Sequence, residues 1–137
     1  MTARDVGRIG IVIVAHGGLA REYLAAVEHV VGVQKGILAI TISPEEDRSA
    51  KQAEICRAAD EVDVGNGVVI VTDMFGGSPS NLSLRACNCA DRQIMYGANL
   101  PMLIKLAKSR HLPVAEAVRL ALEAGRKYIN AQNVTLD

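Results

Sequence analysis

A chain of 137 residues fits one domain with a core of ordinary size, and a composition that is half hydrophobic with no Trp, one Phe and three Tyr requires that core to be aliphatic and alanine-rich. Fifteen basic and fifteen acidic residues cancel with no long block of either sign, which leaves no electrostatic case for nucleic acid or an anionic membrane surface as partner. No apolar run approaches the roughly 20 residues that cross a bilayer, and Cys56, Cys87 and Cys89 lack CxxC spacing, so reduced thiols in a cytoplasmic protein are expected rather than disulfides or a metal site.

Residues 1–7 are polar. The run from about Ile9 to Ala15 is continuously apolar, as in a parallel strand covered on both faces. It follows Arg4 and Arg8 but ends in His16-Gly17-Gly18 instead of a small-residue cleavage site, so it reads as a strand and not as a signal peptide. Beyond that turn, Leu19, Tyr23, Leu24, Val27, Val30 and Val31 recur at helical spacing, with Gly32 as a C-cap. Gly36 opens a second strand, Ile37 to Ile42. Ser43-Pro44-Glu45-Glu46 then predicts a helix start, with Asp47 and Ser49 as later caps, and the helix runs to about Val62.

The third strand, Val68 to Thr72, leads into Asp73-Met74-Phe75-Gly76-Gly77-Ser78-Pro79, a second strand-to-turn-to-helix junction that mirrors the first. Ser78 sits where a cap belongs and Pro79 where a first-turn proline does, and the helix is expected through Leu82 and Leu84 toward Cys89. Gln93 to Tyr96 is a short fourth strand. Gly97-Ala98-Asn99-Leu100-Pro101 leads into a helix carrying Met102, Leu103 and Leu106, and Pro113 starts a last helix with Val114, Ala117, Val118, Ala121, Leu122 and Ile129 on one stripe. Asn133 to Leu136 reads as a final strand or a tail. With no linker, repeat or low-complexity stretch, residues 1–137 are expected to form a single domain with its core at about 9–130.

This β-α alternation predicts an α/β fold: an open, doubly wound, mainly parallel four-stranded sheet with helices on both faces. Sites in such sheets lie at the carboxyl ends of strands, where the loops holding His16, Asp73, Ser78 and Asn99 converge. A carboxylate at a neighbouring strand end can accept the proton on one imidazole nitrogen and leave the other basic and outward-facing, which is the role expected of Asp73 toward His16. Gly76, Gly77 and Ser78 precede a helix whose first N–H groups and dipole favour an anion, and Ser78 adds a hydroxyl donor. The competing reading makes Asp73 and Ser78 turn and cap residues and His16 a structural histidine in a non-catalytic binding module. His29 and His111 are expected on the surface. A nucleophile, an orienting group and a phosphate cradle suit covalent phosphorylation of a histidine.

Three stretches carry a resemblance: Ile13-Val14-Ala15-His16-Gly17, Val71 through Asn81 with its Gly76-Gly77-Ser78-Pro79 turn, and Asn99-Leu100-Pro101-Met102-Leu103. Together they resemble the mannose-type IIA domains of the bacterial phosphoenolpyruvate-dependent sugar phosphotransferase system, across about Ile9 to Tyr128. The resemblance implies that His16 accepts a phosphoryl group from phospho-HPr and passes it to a IIB protein. It also implies that Asp73 orients His16 and that Ser78 contacts the phosphate; Gly17, Gly76 and Gly77 are expected around that phosphate, and no cofactor or metal is expected. Membrane components IIC and IID would be met only indirectly, and nucleic acid not at all. The resemblance further implies a homodimer that exchanges an antiparallel edge strand from Asn130 to Leu136.

Gly18 and Phe75 each lie in a loop where some relatives carry Trp, so the surface offered to partners is expected to differ. No Ala/Pro-rich linker or IIB domain follows, so the expected acceptor is a separate IIB protein or a regulatory target that reads the phosphorylation state. The phosphotransfer subunit of dihydroxyacetone kinase is the nearest rival, disfavoured by the Gly-Gly-Ser-Pro and Asn-Leu-Pro-Met motifs.

Overall fold

The β-branched runs and the amphipathic segments between them settle into alternating strands and helices in a computed structural model whose described residues are 7–74 and 91–135. The strands are β1 (Gly10–His16), β2 (Ile37–Ile42), β3 (Val68–Thr72) and β4 (Arg92–Met95), and the described helices are α1 (Leu19–Val31), α2 (Arg48–Val62), α3 (Leu100–Lys108) and α4 (Val114–Lys127). The helix expected from Pro79 toward Cys89 lies outside the described residues.

The strands form one sheet in the order β2-β1-β3-β4, and every pairing in it is parallel. The chain leaves β1 toward β2 on one side and leaves β3 toward β4 on the other. The crevice between the carboxyl ends of β1 and β3 is therefore the topological switch point, where open α/β sheets place their ligands.

Burial explains the unbroken apolar runs of β1 and β3. One set of strand residues, Ile11, Ile13, Val69 and Val71 among them, packs with Met102, Leu103 and Leu106 of α3 and Ala117 and Ala121 of α4, with α1 contributing Ala20 and Val27. The alternate set, Val12, Val14, Val68 and Ile70, packs against Ile55, Ala58, Ala59 and Val62 of α2. Each large aliphatic side chain taken fully from water contributes about 1.5–3 kcal/mol, so a core without tryptophan suffices. Helices thus cover both faces, as the alternation predicts.

Close packing of α2 depends on Gly10, because a Cβ there would collide with the backbone carbonyl of Val62. At the opposite end of the sheet from His16, buried Arg110 donates from Nε to the Ile9 carbonyl at 2.8 Å and from Nη2 to the Gly36 carbonyl at 3.2 Å. Burial, with Arg8 nearby, pushes the Arg110 guanidinium down to about 10.

Several boundaries differ from the expectation. Helix α2 starts at Arg48 and not at Pro44, with the Asp47 carboxylate accepting the Ser49 N–H at 2.9 Å as its cap. Glu46 instead pairs with Lys51 at 2.8 Å. In α1 the buried side is carried by Ala20 and Val27 with Tyr23, Leu24 and Val31 half-buried, whereas Leu19 and Val30 face solvent. The stripe of α4 ends before Ile129, which lies past the last helical residue and is 73% exposed. Residues 130–135 adopt no regular secondary structure within the chain.

Candidate active site

Strand β1 carries His16 as its last residue, still in register with Ile42 of β2, while the pairing with β3 stops at Val14 opposite Thr72. Beyond Thr72 no strand residue remains to bond the exposed side of β1. The Asp73 side chain takes over: its Oδ2 accepts the backbone N–H of His16 at 3.1 Å. A backbone donor that the ladder leaves open thus finds a side-chain acceptor.

The same oxygen lies 2.9 Å from His16 Nδ1. An ionised carboxylate only accepts, so Nδ1 is the protonated nitrogen and Nε2 keeps its lone pair. The His16 side chain is 47% exposed and that of Asp73 only 9%. A sheltered carboxylate therefore holds a half-exposed histidine. Gly17 follows with φ +55°, a left-handed turn that glycine adopts without strain, and its N–H donates to the Ile42 carbonyl at 3.2 Å. A Cβ at Gly17 or Gly18 would meet nothing within 4 Å among the described residues.

Of the residues expected here, His16 and Asp73 come together, with Gly17 beside them. Gly76, Gly77 and Ser78 lie outside the described residues. Asn99 is occupied elsewhere, since its Oδ1 accepts the Met102 N–H at 3.0 Å as the cap of α3 and its Nδ2 donates to the Gly125 carbonyl at 2.9 Å in α4. Both ends of the amide are used in joining two helices. His29 lies in the last turn of α1 and His111 in the turn after α3, both exposed.

Tyr23 belongs to the neighbourhood, although helical spacing marks it only as part of an apolar stripe. Its hydroxyl donates to the Ala98 carbonyl at 3.0 Å. Burial, and then the negative charge of Asp73, push its ionisation above the usual phenol range. The signal that could have found it is the residue type: a half-buried Tyr on an otherwise aliphatic stripe needs a partner for its hydroxyl, and the strand-end loops are the nearest source of carbonyls.

The profile of the EIIA-man family, described as the PTS system fructose IIA component, matches residues 10–122. The chain belongs to the EIIA-man family. The mannose-specific EIIAB component of the phosphotransferase system of Escherichia coli strain K12 is 30% identical over 126 residues, which are 90% of this chain and 39% of that protein. The chain therefore spans about two fifths of the length of the curated relatives it matches. Among solved structures, the mannose/sorbose specific IIA subunit from Enterococcus faecalis superposes with a TM-score of 0.79 at 25% identity, covering 94% of this chain and 98% of that one. The PTS IIA protein associated with the fucose utilization operon from Streptococcus pneumoniae gives a TM-score of 0.79 at 27% identity, covering 91% and 94%. The open, doubly wound parallel sheet expected from the β-α alternation is thus the one observed, with His16 and Asp73 beside the switch point.

Proposed function

We propose that this EIIA-man chain is a phosphocarrier of the sugar phosphotransferase system that accepts a phosphoryl group from phospho-HPr on Nε2 of His16 and passes it to a IIB protein. The observation that carries this reading is the 2.9 Å contact between His16 Nδ1 and Asp73 Oδ2. It fixes the proton on Nδ1, leaves Nε2 as nucleophile and puts a negative charge behind a ring that becomes cationic on phosphorylation.

In the transfer, the Nε2 lone pair forms the bond to phosphorus as the bond from phosphorus to the donor atom breaks, the donor leaving with the bonding pair. Nδ1 keeps its proton, shared with Asp73. The reverse displacement, with the acceptor as nucleophile, returns His16 to its neutral form. Exposure of the imidazole supports a protein as donor and acceptor, since a small substrate needs a pocket that surrounds it. Ser78 is assigned to the phosphoryl oxygens on the strength of the family motif, and Gly17, Gly76 and Gly77 by the sequence reading of an anion site beside it.

Among the described residues no helix is long and apolar enough to cross a membrane, and the same reading puts the carrier in the cytoplasm, with IIC and IID contacted only through IIB. It also makes the chain a homodimer in which the segment from Asn130 adds to the β4 edge of a second copy. Support comes from β4 ending the order of the described strands and from exposed Ile129 just before the segment and exposed Val134 within it.

Incubation with phosphoenolpyruvate, enzyme I and HPr tests the central claim. The expected product carries one acid-labile phosphate on His16, absent in His16→Ala. Absence of label in the unaltered protein, or label retained in His16→Ala, refutes it.

A further inference from the structure

The structure assigns to Tyr23 a positioning role in phosphoryl transfer: from α1 it locks the loop after β4 against the end of β3 and so fixes the Asp73 carboxylate behind His16. The inference rests on His16 being the phosphoryl acceptor, and it concerns a residue that acts only through others.

The connection is continuous. Tyr23 Oη donates to the Ala98 carbonyl at 3.0 Å. The Ala98 N–H in turn donates to the Thr72 carbonyl at 3.0 Å. Thr72 is fully buried, and its Oγ1 donates to the Met95 carbonyl at 3.4 Å, which adds a second tie between the end of β3 and β4. Asp73 is the next residue, and its Oδ2 receives both His16 donors. Helix α1 begins three residues after His16, so Tyr23 closes a ring that leaves His16 through its own helix and returns to it through Asp73.

The carboxylate needs such a frame. Asp73 Oδ1 is buried with no hydrogen-bond partner among the described residues, so among these the carboxylate is held through Oδ2 alone. A buried carboxylate oxygen without a donor favours any rotation that reaches water. The aromatic body of Tyr23 packs on the core, and its hydroxyl stays close enough to Asp73 for the carboxylate charge to act on it. Removing the hydroxyl while keeping the ring frees the Ala98 carbonyl and, through Thr72, loosens the backbone that carries Asp73.

The test compares the unaltered chain with Tyr23→Phe by two readouts. Nitrogen-15 spectra of the His16 ring report which nitrogen carries the proton, and single-turnover transfer from phospho-HPr reports rate against donor concentration. In Tyr23→Phe the Nδ1-protonated share of neutral His16 is expected to fall. The maximal rate should drop about three- to tenfold, the loss of one hydrogen bond's positioning, with the half-saturating donor concentration unchanged. A lowered melting temperature with the tautomer ratio and rate unaltered makes Tyr23 a packing residue and overturns the assignment. Should the unaltered chain take no phosphate, the phosphocarrier reading fails, while an altered tautomer ratio in Tyr23→Phe still upholds the control of Asp73 and an unaltered one still overturns it.

Discussion

One oxygen of Asp73 accepts from His16 twice, from Nδ1 at 2.9 Å and from the backbone N–H at 3.1 Å. The two bonds separate cleanly in a substitution. In Asp73→Asn the amide oxygen can still take the backbone N–H and preserve the strand end, while the negative charge that favours a cationic phosphoimidazole is gone. Transfer from phospho-HPr should slow by about 10- to 100-fold, the usual cost of removing a carboxylate that orients a functional histidine. Rapid-quench labelling measures it, and an unchanged rate contradicts the orienting role.

Acid should weaken the fold through the turn between α2 and β3. The Gly65 N–H donates to Asp63 at 2.9 Å, and buried Arg92 reaches Asp63 at 3.1 Å and Asp60 at 2.8 Å. The Gly65 bond first, and then Arg92, hold the Asp63 carboxyl below its usual range, against the opposing effect of burial. A carboxyl lowered in the folded state adds stability that is complete above its unfolded value, about 4, and is lost as pH falls through the folded value. The melting temperature should therefore decline below about pH 4, and the decline should be shallower in Asp63→Asn. Parallel curves for the two proteins across the acid range would remove Asp63 from the account.

Close approach of α2 to β1 makes Gly10 sensitive in a way its strand position alone does not. A Cβ at this residue collides with the Val62 carbonyl, which as backbone cannot swing aside. Gly10→Ala should cost about 1–3 kcal/mol, the range for overpacking a well-filled interior. Urea unfolding with an unchanged denaturant slope checks it, and a loss under about 0.5 kcal/mol would mean that α2 moves away freely.

Much of this architecture is legible in the sequence because burial on both faces leaves an unbroken apolar run. Ile37–Ile42 and Val68–Thr72 have the bounds that their composition predicts. β1 and β4 each depart from expectation by one residue at either end, since periodicity locates a strand better than it locates its last hydrogen bond. Ser43-Pro44 offers a competing helix start, and only the cap geometry at Asp47 decides between starts a turn apart. His16 and Asp73 are legible as partners because one ends a strand and the other directly follows its parallel neighbour. Their shared oxygen is not, because it depends on β1 outrunning β3 at the switch point. Tyr23 is hidden by its own periodicity, which marks it as core and says nothing of where its hydroxyl goes.

Asn99 is expected at the site by its loop, and its side chain turns out to join α3 to α4. The Met102 N–H is one of the open donors of the first turn of α3, and Asn99 Oδ1 satisfies it at 3.0 Å. The Nδ2 bond to the carbonyl of buried Gly125, at 2.9 Å, draws α4 against the start of α3. Asn99→Ala removes both, an N-cap that typically contributes about 1 kcal/mol and the tie from Nδ2 to the neighbouring helix. The expected destabilisation in urea unfolding is about 1–3 kcal/mol. Asn99→Asp should recover part of it, because a carboxylate caps α3 as well as the amide does but repels the Gly125 carbonyl. Equal losses in the two variants would show that the tie to α4, and not the cap, is what Asn99 contributes.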